Sequence, residues 1–132
     1  MPPTGRILLD TSILIALLAE EPAVVRGVQE AEALHVPAIA LGELYYGARK
    51  SARAAQNVER VGALAARSAV LPCDAATAAT YGEIKAALQA KGTPIPENDL
   101  WIAALAKQHD LTVASRDEHF EHRAGARPRG LD

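Results

Sequence analysis

Cysteine is almost missing from this 132-residue chain: Cys73 stands alone. No disulfide can form within it, and a reducing, cytoplasmic setting is expected. Long apolar runs are missing too. None exceeds seven residues, the length of Ile13 to Ala19, far short of the ~20 that span a bilayer, so no membrane association is expected. The apolar stretch behind Arg6 faintly imitates a secretion signal, but Asp10 interrupts it. Neither sign of charge dominates. Fourteen Lys and Arg against sixteen Asp and Glu leave a net charge of −2. That excludes a generic duplex-DNA binder with a broad basic surface, though not a nucleic-acid enzyme with a local basic rim. The four histidines are scattered and no His/Cys cluster has zinc spacing. There are no repeats, and no linker is long enough to divide the chain.

About half of the residues are hydrophobic, which marks a folded chain with one core. Ile7-Leu8-Leu9 is a short continuous apolar run, as in a strand buried on both faces. Asp10-Thr11-Ser12 has N-cap chemistry, and a helix is expected over Ile13–Glu20. Pro22 opens a second helix through Glu32. A strand over Leu34–Ala38, a helix over Ile39–Ser51 that continues or restarts over Ala52–Arg67, and a strand over Ala69–Leu71 follow. Ala75–Lys91 reads as a long helix, with Ala78, Tyr81, Ile84, Lys85 and Leu88 at helical spacing and Gly92 as its stop. After the stiff loop Thr93–Glu97, Asn98 is expected to cap a helix over Asp99–His109, and Leu111–Ala114 is the last strand. Strands alternating with helices predict a single three-layer α/β/α domain around a short parallel sheet, with its core over residues 6–120. Residues 121–132, "EHRAGARPRGLD", have Leu131 as their one large aliphatic residue. They cannot offset an ordering cost of roughly 1–2 kcal/mol per residue. This tail is expected to be mobile, and the sheet to close at Leu111–Ala114.

An aspartate inside "ILLDTSILIALL" needs a reason, because burying an unpartnered carboxylate costs several kcal/mol. In a doubly wound fold the carboxyl ends of the strands and the starts of the following helices share one edge, where ligands bind. Asp10 follows the first strand. Glu43 lies early in the helix after the second, Asp99 opens the helix before the last strand, and Asp117 follows that strand. All four map to one edge. Taken singly, each has a bland explanation as a cap, a helix-dipole acid or a turn residue. Together on one edge, they would repel one another. A hard divalent cation, Mg²⁺ or Mn²⁺, resolves this with carboxylate and water ligands. Thr11, Ser12, Asn98 and Ser115 add neutral groups that orient carboxylates or bind phosphate.

The segments "ILLDTSILIALL", "PAIALGELYYGARK" and "GTPIPENDLWIAALAKQHDLTVASRDEHF" resemble the PIN-domain ribonucleases, specifically the VapC-like toxins of bacterial toxin–antitoxin pairs. The resemblance runs over residues 6–120. It implies cleavage of RNA phosphodiester bonds by metal-activated water, with Mg²⁺ or Mn²⁺ held by Asp10, Glu43 and Asp99 and, through water, Asp117. It also implies a homodimer and a small cognate antitoxin that covers the site. The family's hydroxyl after the first acid falls on Thr11 or Ser12, and the one before the last acid on Ser115. Many relatives end in an apolar strand, which Glu121–Asp132 does not offer.

Arg116 adjoins the site as a phosphate-binding candidate. Arg49, Lys50 and Arg53 form a basic helix end that either tracks RNA or simply complements the helix dipole. Arg123, Arg127 and Arg129 make the tail basic. Tyr45 and Tyr46 could stack on bases but are read mainly as packing against a neighbouring helix or a partner, Trp101 as core beside Ile102 and Leu105, and His119 as structural or as a support to the site acids. Two other functions remain open: a metal-dependent phosphatase or nucleotidase, and a non-enzymatic receiver-like module. A haloacid-dehalogenase-type phosphatase wants a second Asp where Ser12 stands. A receiver explains Asp10 but not Glu43 and Asp99, and no glycine-rich phosphate loop follows the first strand.

Overall fold

Ile7, Leu8 and Leu9 are almost fully buried because the strand that carries them is the middle of a sheet covered on both faces. The computed structural model describes residues 6–30 and 33–116 and the short strand at 128–129. Its elements run β1 (Arg6–Leu9), α1 (Thr11–Leu18), α2 (Pro22–Gln29), β2 (Ala33–Pro37), α3 (Ala38–Lys50), α4 (Ala54–Ala66), β3 (Ala69–Leu71), α5 (Ala75–Lys91), α6 (Glu97–His109), β4 (Thr112–Ala114) and β5 (Pro128–Arg129). The sheet order is β3-β2-β1-β4-β5, and every pairing is parallel. The chain builds outward from β1 to β2 and β3, then crosses back to place β4 on the other side of β1. That reversal opens a crevice at the carboxyl ends of β1 and β4. The expected three-layer α/β/α architecture is what forms. Its core joins the central strands to α6, whose Leu100 and Ile102–Ala106 are buried.

Several boundaries differ from the sequence reading for local reasons. The first helix starts at Thr11, because Asp10 itself is the N-cap and its side chain accepts from the Ile13 N–H. It ends at Leu18, and Glu20 then takes a left-handed backbone (φ 58°). The second helix stops at Gln29 rather than Glu32. Ser51 separates α3 from α4: its hydroxyl donates to the Ala48 carbonyl at 2.7 Å and accepts from Asn57 Nδ2 at 2.9 Å. Pro96, not Asn98, is the N-cap of α6. Pro37 fits as the last residue of β2 and the N-cap of α3, where a fixed φ is tolerated and no N–H is required. Gly92 ends α5 in the left-handed region (φ 72°).

The sheet does not close at β4. Pro128 and Arg129 pair in parallel with Val113 and Ala114. A backbone ladder needs N–H and C=O groups rather than apolar side chains, and an edge strand tolerates proline. The expected mobility of the rest of the tail, with Arg123 and Arg127, falls outside the described residues.

Thr77 is the one fully buried polar side chain of α5. Its N–H donates to Asp74 Oδ1 at 3.1 Å, and its hydroxyl accepts from the Asp74 N–H at 3.1 Å, a reciprocal cap. The hydroxyl also donates to Gln108 Oε1 at 2.5 Å, tying α5 to the end of α6. Thr77→Val keeps the shape and strands both partners. It is expected to cost about 1–3 kcal/mol, read as a lowered midpoint in denaturant with an unchanged slope.

Candidate active site

Asp10 sits at the crevice between β1 and β4 and is 2% exposed. Its backbone N–H donates to the Ala114 carbonyl at 3.1 Å, which continues the β1–β4 ladder and pins the residue. Oδ1 accepts from the Ile13 N–H at 3.0 Å and from the Ser12 hydroxyl at 2.8 Å. Oδ2 accepts from the Ser115 hydroxyl. The buried carboxylate is thus held ready-made by donors and by the positive end of α1. Glu43, in the second turn of α3, accepts at Oε1 from the Thr11 hydroxyl at 2.6 Å. Asp99 lies in the first turn of α6.

These side chains wall one open cleft of about 520 Å³. Four of its lining residues are acidic: Asp10, Glu43, Glu97 and Asp99. Thr11, Ser12 and Asn98 supply neutral polar groups, and Ile15 and Pro96 supply apolar wall. Among the described residues, no lysine or arginine lines it. Ser115 is behind Asp10 rather than in the cleft. Arg116 donates its backbone N–H to Ser12 Oγ at 3.1 Å, but its guanidinium is paired with Glu21. The phosphate candidate of the sequence reading is therefore engaged with α2's entry. Asp117 and His119 lie outside the described residues.

Glu97 is the residue that sequence reasoning placed only in a stiff loop. It accepts from the Tyr81 hydroxyl and, at 3.0 Å, from Lys85 Nζ. Lys85 also donates to Tyr81 Oη at 3.2 Å. Trp101 backs this group by stacking on Tyr81, with centroids 4.1 Å apart and planes at 12°. Trp101 is thus half-buried on the α5–α6 seam rather than in the core. The Tyr81 hydroxyl and then the Lys85 ammonium hold the Glu97 carboxyl below its ordinary range. The same contacts, with Glu97 first, raise the Lys85 ammonium. A lowered carboxyl contributes stability above its unfolded pKa and loses it as pH falls through the folded value. Lys85→Met is therefore expected to lower the melting temperature slightly at pH 7, with the difference vanishing in acid. Both groups are well exposed, so the effect is small.

A sequence model of the PIN domain matches residues 7–126. The chain belongs to the PIN-domain family. Among curated relatives it is 35% identical over 114 residues to a protein named ribonuclease VapC2 from Haemophilus influenzae, covering 85% of this chain and 86% of that one. It is 32% identical over 126 residues to a protein from Shigella flexneri named tRNA(fMet)-specific endonuclease VapC, covering 92% and 95%. Among solved structures, the DNA-bound VapBC of Salmonella typhimurium superposes with a TM-score of 0.90 at 30% identity, over 97% of this chain and 99% of that chain. These place the chain among the VapC-like PIN domains.

Within this PIN fold, three of the four expected acids, Asp10, Glu43 and Asp99, wall the same cleft. Among the described residues, however, no three acidic, imidazole or thiol side chains are gathered tightly enough to form a finished metal centre. Like charges repel, so the carboxylates keep to the walls. Among the described residues, the side chains that line the cleft offer carboxylate, hydroxyl and amide oxygens, the donor type that suits a hard divalent cation. Of the basic group ending α3, Lys50 lies over the ring of Tyr46, 4.7 Å from its centroid. Tyr46 is 66% exposed, so it is not packed on a neighbouring helix of this chain, which leaves packing on a partner open. Tyr45 does pack, partly buried against the core. No helix among the described residues is long and apolar enough to cross a membrane.

Proposed function

We propose that the protein is the toxin of a toxin–antitoxin pair, an endoribonuclease that depends on Mg²⁺ or Mn²⁺. One observation carries this reading: an acidic cleft at the sheet's crevice with carboxylates already oriented by hydroxyls and a helix N-terminus. The names of the PIN-domain relatives, ribonuclease and endonuclease, support it, as does a structural neighbour that belongs to the VapBC family of toxin-antitoxin systems. Asp10, Glu43 and Asp99 would hold the cation, with Asp117 as the fourth acid. Bound there, the cation would acidify water and neutralise the phosphate's charge.

The chain's own residues do the positioning. Ser12, Ser115 and the Ile13 N–H fix both oxygens of Asp10, so the carboxylate does not have to reorganise when a cation arrives. Thr11 does the same for one oxygen of Glu43 and leaves the other for the cleft. Asn98, in the cleft wall, offers an amide to a phosphate oxygen. Among the described residues the lining is acidic, with Asp10, Glu43, Glu97 and Asp99, so these walls repel a phosphodiester until a cation offsets their charge. Binding of substrate and binding of the cation are therefore coupled. A homodimer and a small antitoxin that occludes the cleft complete the proposal, with cytoplasmic RNA as the substrate.

The test offers the purified protein structured RNA and a phosphomonoester, each with and without Mg²⁺. Metal-dependent scission of the RNA alone is the expected result. Turnover of the monoester alone would favour a phosphatase, and turnover of neither would favour a binding module.

A further inference from the structure

A second cavity, of about 200 Å³, lies beside the acidic cleft, and Glu97 lines both. Its apolar walls are Leu88, Leu100, Pro94 and Ile95, and its polar groups besides Glu97 are Lys85 and Gln89. We propose that this cavity is a nucleobase pocket that reads one nucleotide next to the scissile phosphate, with Lys85 and Gln89 contacting the base edge. The inference rests on the ribonuclease reading above and adds the source of its selectivity.

The occupant follows from three features. The two cavities share a wall, so a chain whose phosphate enters the cleft carries its flanking base, one sugar away, to the neighbouring opening. Leucine, isoleucine and proline side chains suit the faces of a planar ring, while an ammonium and an amide suit its edge. Phosphate contacts position a nucleic acid but do not specify it, so selectivity must come from base contacts, and single-stranded RNA presents unstacked bases for this. The pocket is also stiff. Lys85 is fixed by Glu97 and Tyr81, which use two of its three N–H donors and leave one for a base acceptor. Tyr81 is in turn held by the Trp101 stack, and Pro94 restricts the loop that forms one wall. Glu97 then has a purpose at the cleft's rim: it anchors the lysine, and the lysine cancels its charge.

The experiment maps the cut site by sequencing RNA ends, then measures kcat/KM on short RNAs that carry each of the four bases, or no base, at each flanking position. Wild type is compared with Gln89→Leu and Lys85→Met. At one position the ratio between best and worst base is expected to fall about tenfold in each variant. There, removing the base should cost wild type about tenfold and the variants little. Unchanged preferences at every position in both variants would overturn the pocket. So would a shift from dimer to monomer in either variant, which would make this face a contact between copies of the chain. No metal-dependent RNA scission by wild type would instead bring down the ribonuclease reading itself, and the pocket with it.

Discussion

Asp99→Asn is expected to reduce RNA cleavage by roughly 10²–10³-fold or more while the melting temperature holds. The change is isosteric and removes one negative charge from a cleft whose walls also carry Asp10 and Glu43. Removing charge from a repulsive set relieves the metal-free fold, so any loss of activity reflects the chemistry. Asp10→Asn should lose activity to the same extent. It differs in its structural cost, because Asp10 is buried and is also the cap of α1. Asparagine keeps an acceptor for the Ile13 N–H, and the Ser115 hydroxyl can turn to accept from the new amide. Asp10→Ala would leave Ile13, Ser12 and Ser115 without that acceptor and is expected to cost about 1–3 kcal/mol. Cleavage assays paired with thermal melts separate the two roles. Full activity of Asp99→Asn at saturating Mg²⁺ would remove Asp99 from the proposed site.

Asp10 shows why so much of the candidate site was legible. A carboxylate amid Ile7–Leu9 and Ile13–Ala19 has to sit at a strand–helix junction, and alternating strands and helices bring such junctions to one edge. Glu43 and Asp99 interrupt apolar runs in the same way. The apolar strand Ile7–Leu9 and the stop at Gly92 are equally local signals, and both stand in the structure. Glu97 gave no such signal. It follows two prolines' worth of loop, and what brings it into play is Tyr81 and Lys85, one turn apart on α5 but distant from it in sequence. Trp101 next to buried Ile102 reads as core by composition. Only the crossing of α5 over α6 turns it onto Tyr81. Arg116 reads as a phosphate ligand because it adjoins the last acids, whereas its guanidinium is taken up by Glu21 of a segment far away in the chain. The strand Pro128–Arg129 is invisible to hydrophobic patterning, since a backbone ladder with Val113 and Ala114 needs no apolar run.

Chelation gives the other large effect expected here. EDTA should abolish cleavage, and Mg²⁺ or Mn²⁺ should restore it, because the described walls of the acidic cleft offer oxygen donors and repel a phosphate until their charge is offset. Loss of activity alone would not identify the ligands, but binding to the native state also stabilises the fold. That stabilisation grows as the logarithm of cation concentration over Kd and reaches about 2.7 kcal/mol at a hundredfold excess over Kd. Mn²⁺ is therefore expected to raise the melting temperature of the wild-type chain, without any RNA present. In Asp99→Asn the rise should shrink or disappear over the same concentrations, since a carboxylate has been replaced by a weaker, neutral donor. Asn98→Ala, which alters an amide proposed to face phosphate, should keep the Mn²⁺-dependent rise and weaken only RNA binding. A rise of equal size in wild type and Asp99→Asn would show that the cation binds elsewhere. Undiminished RNA scission in excess EDTA would show that the chemistry needs no cation.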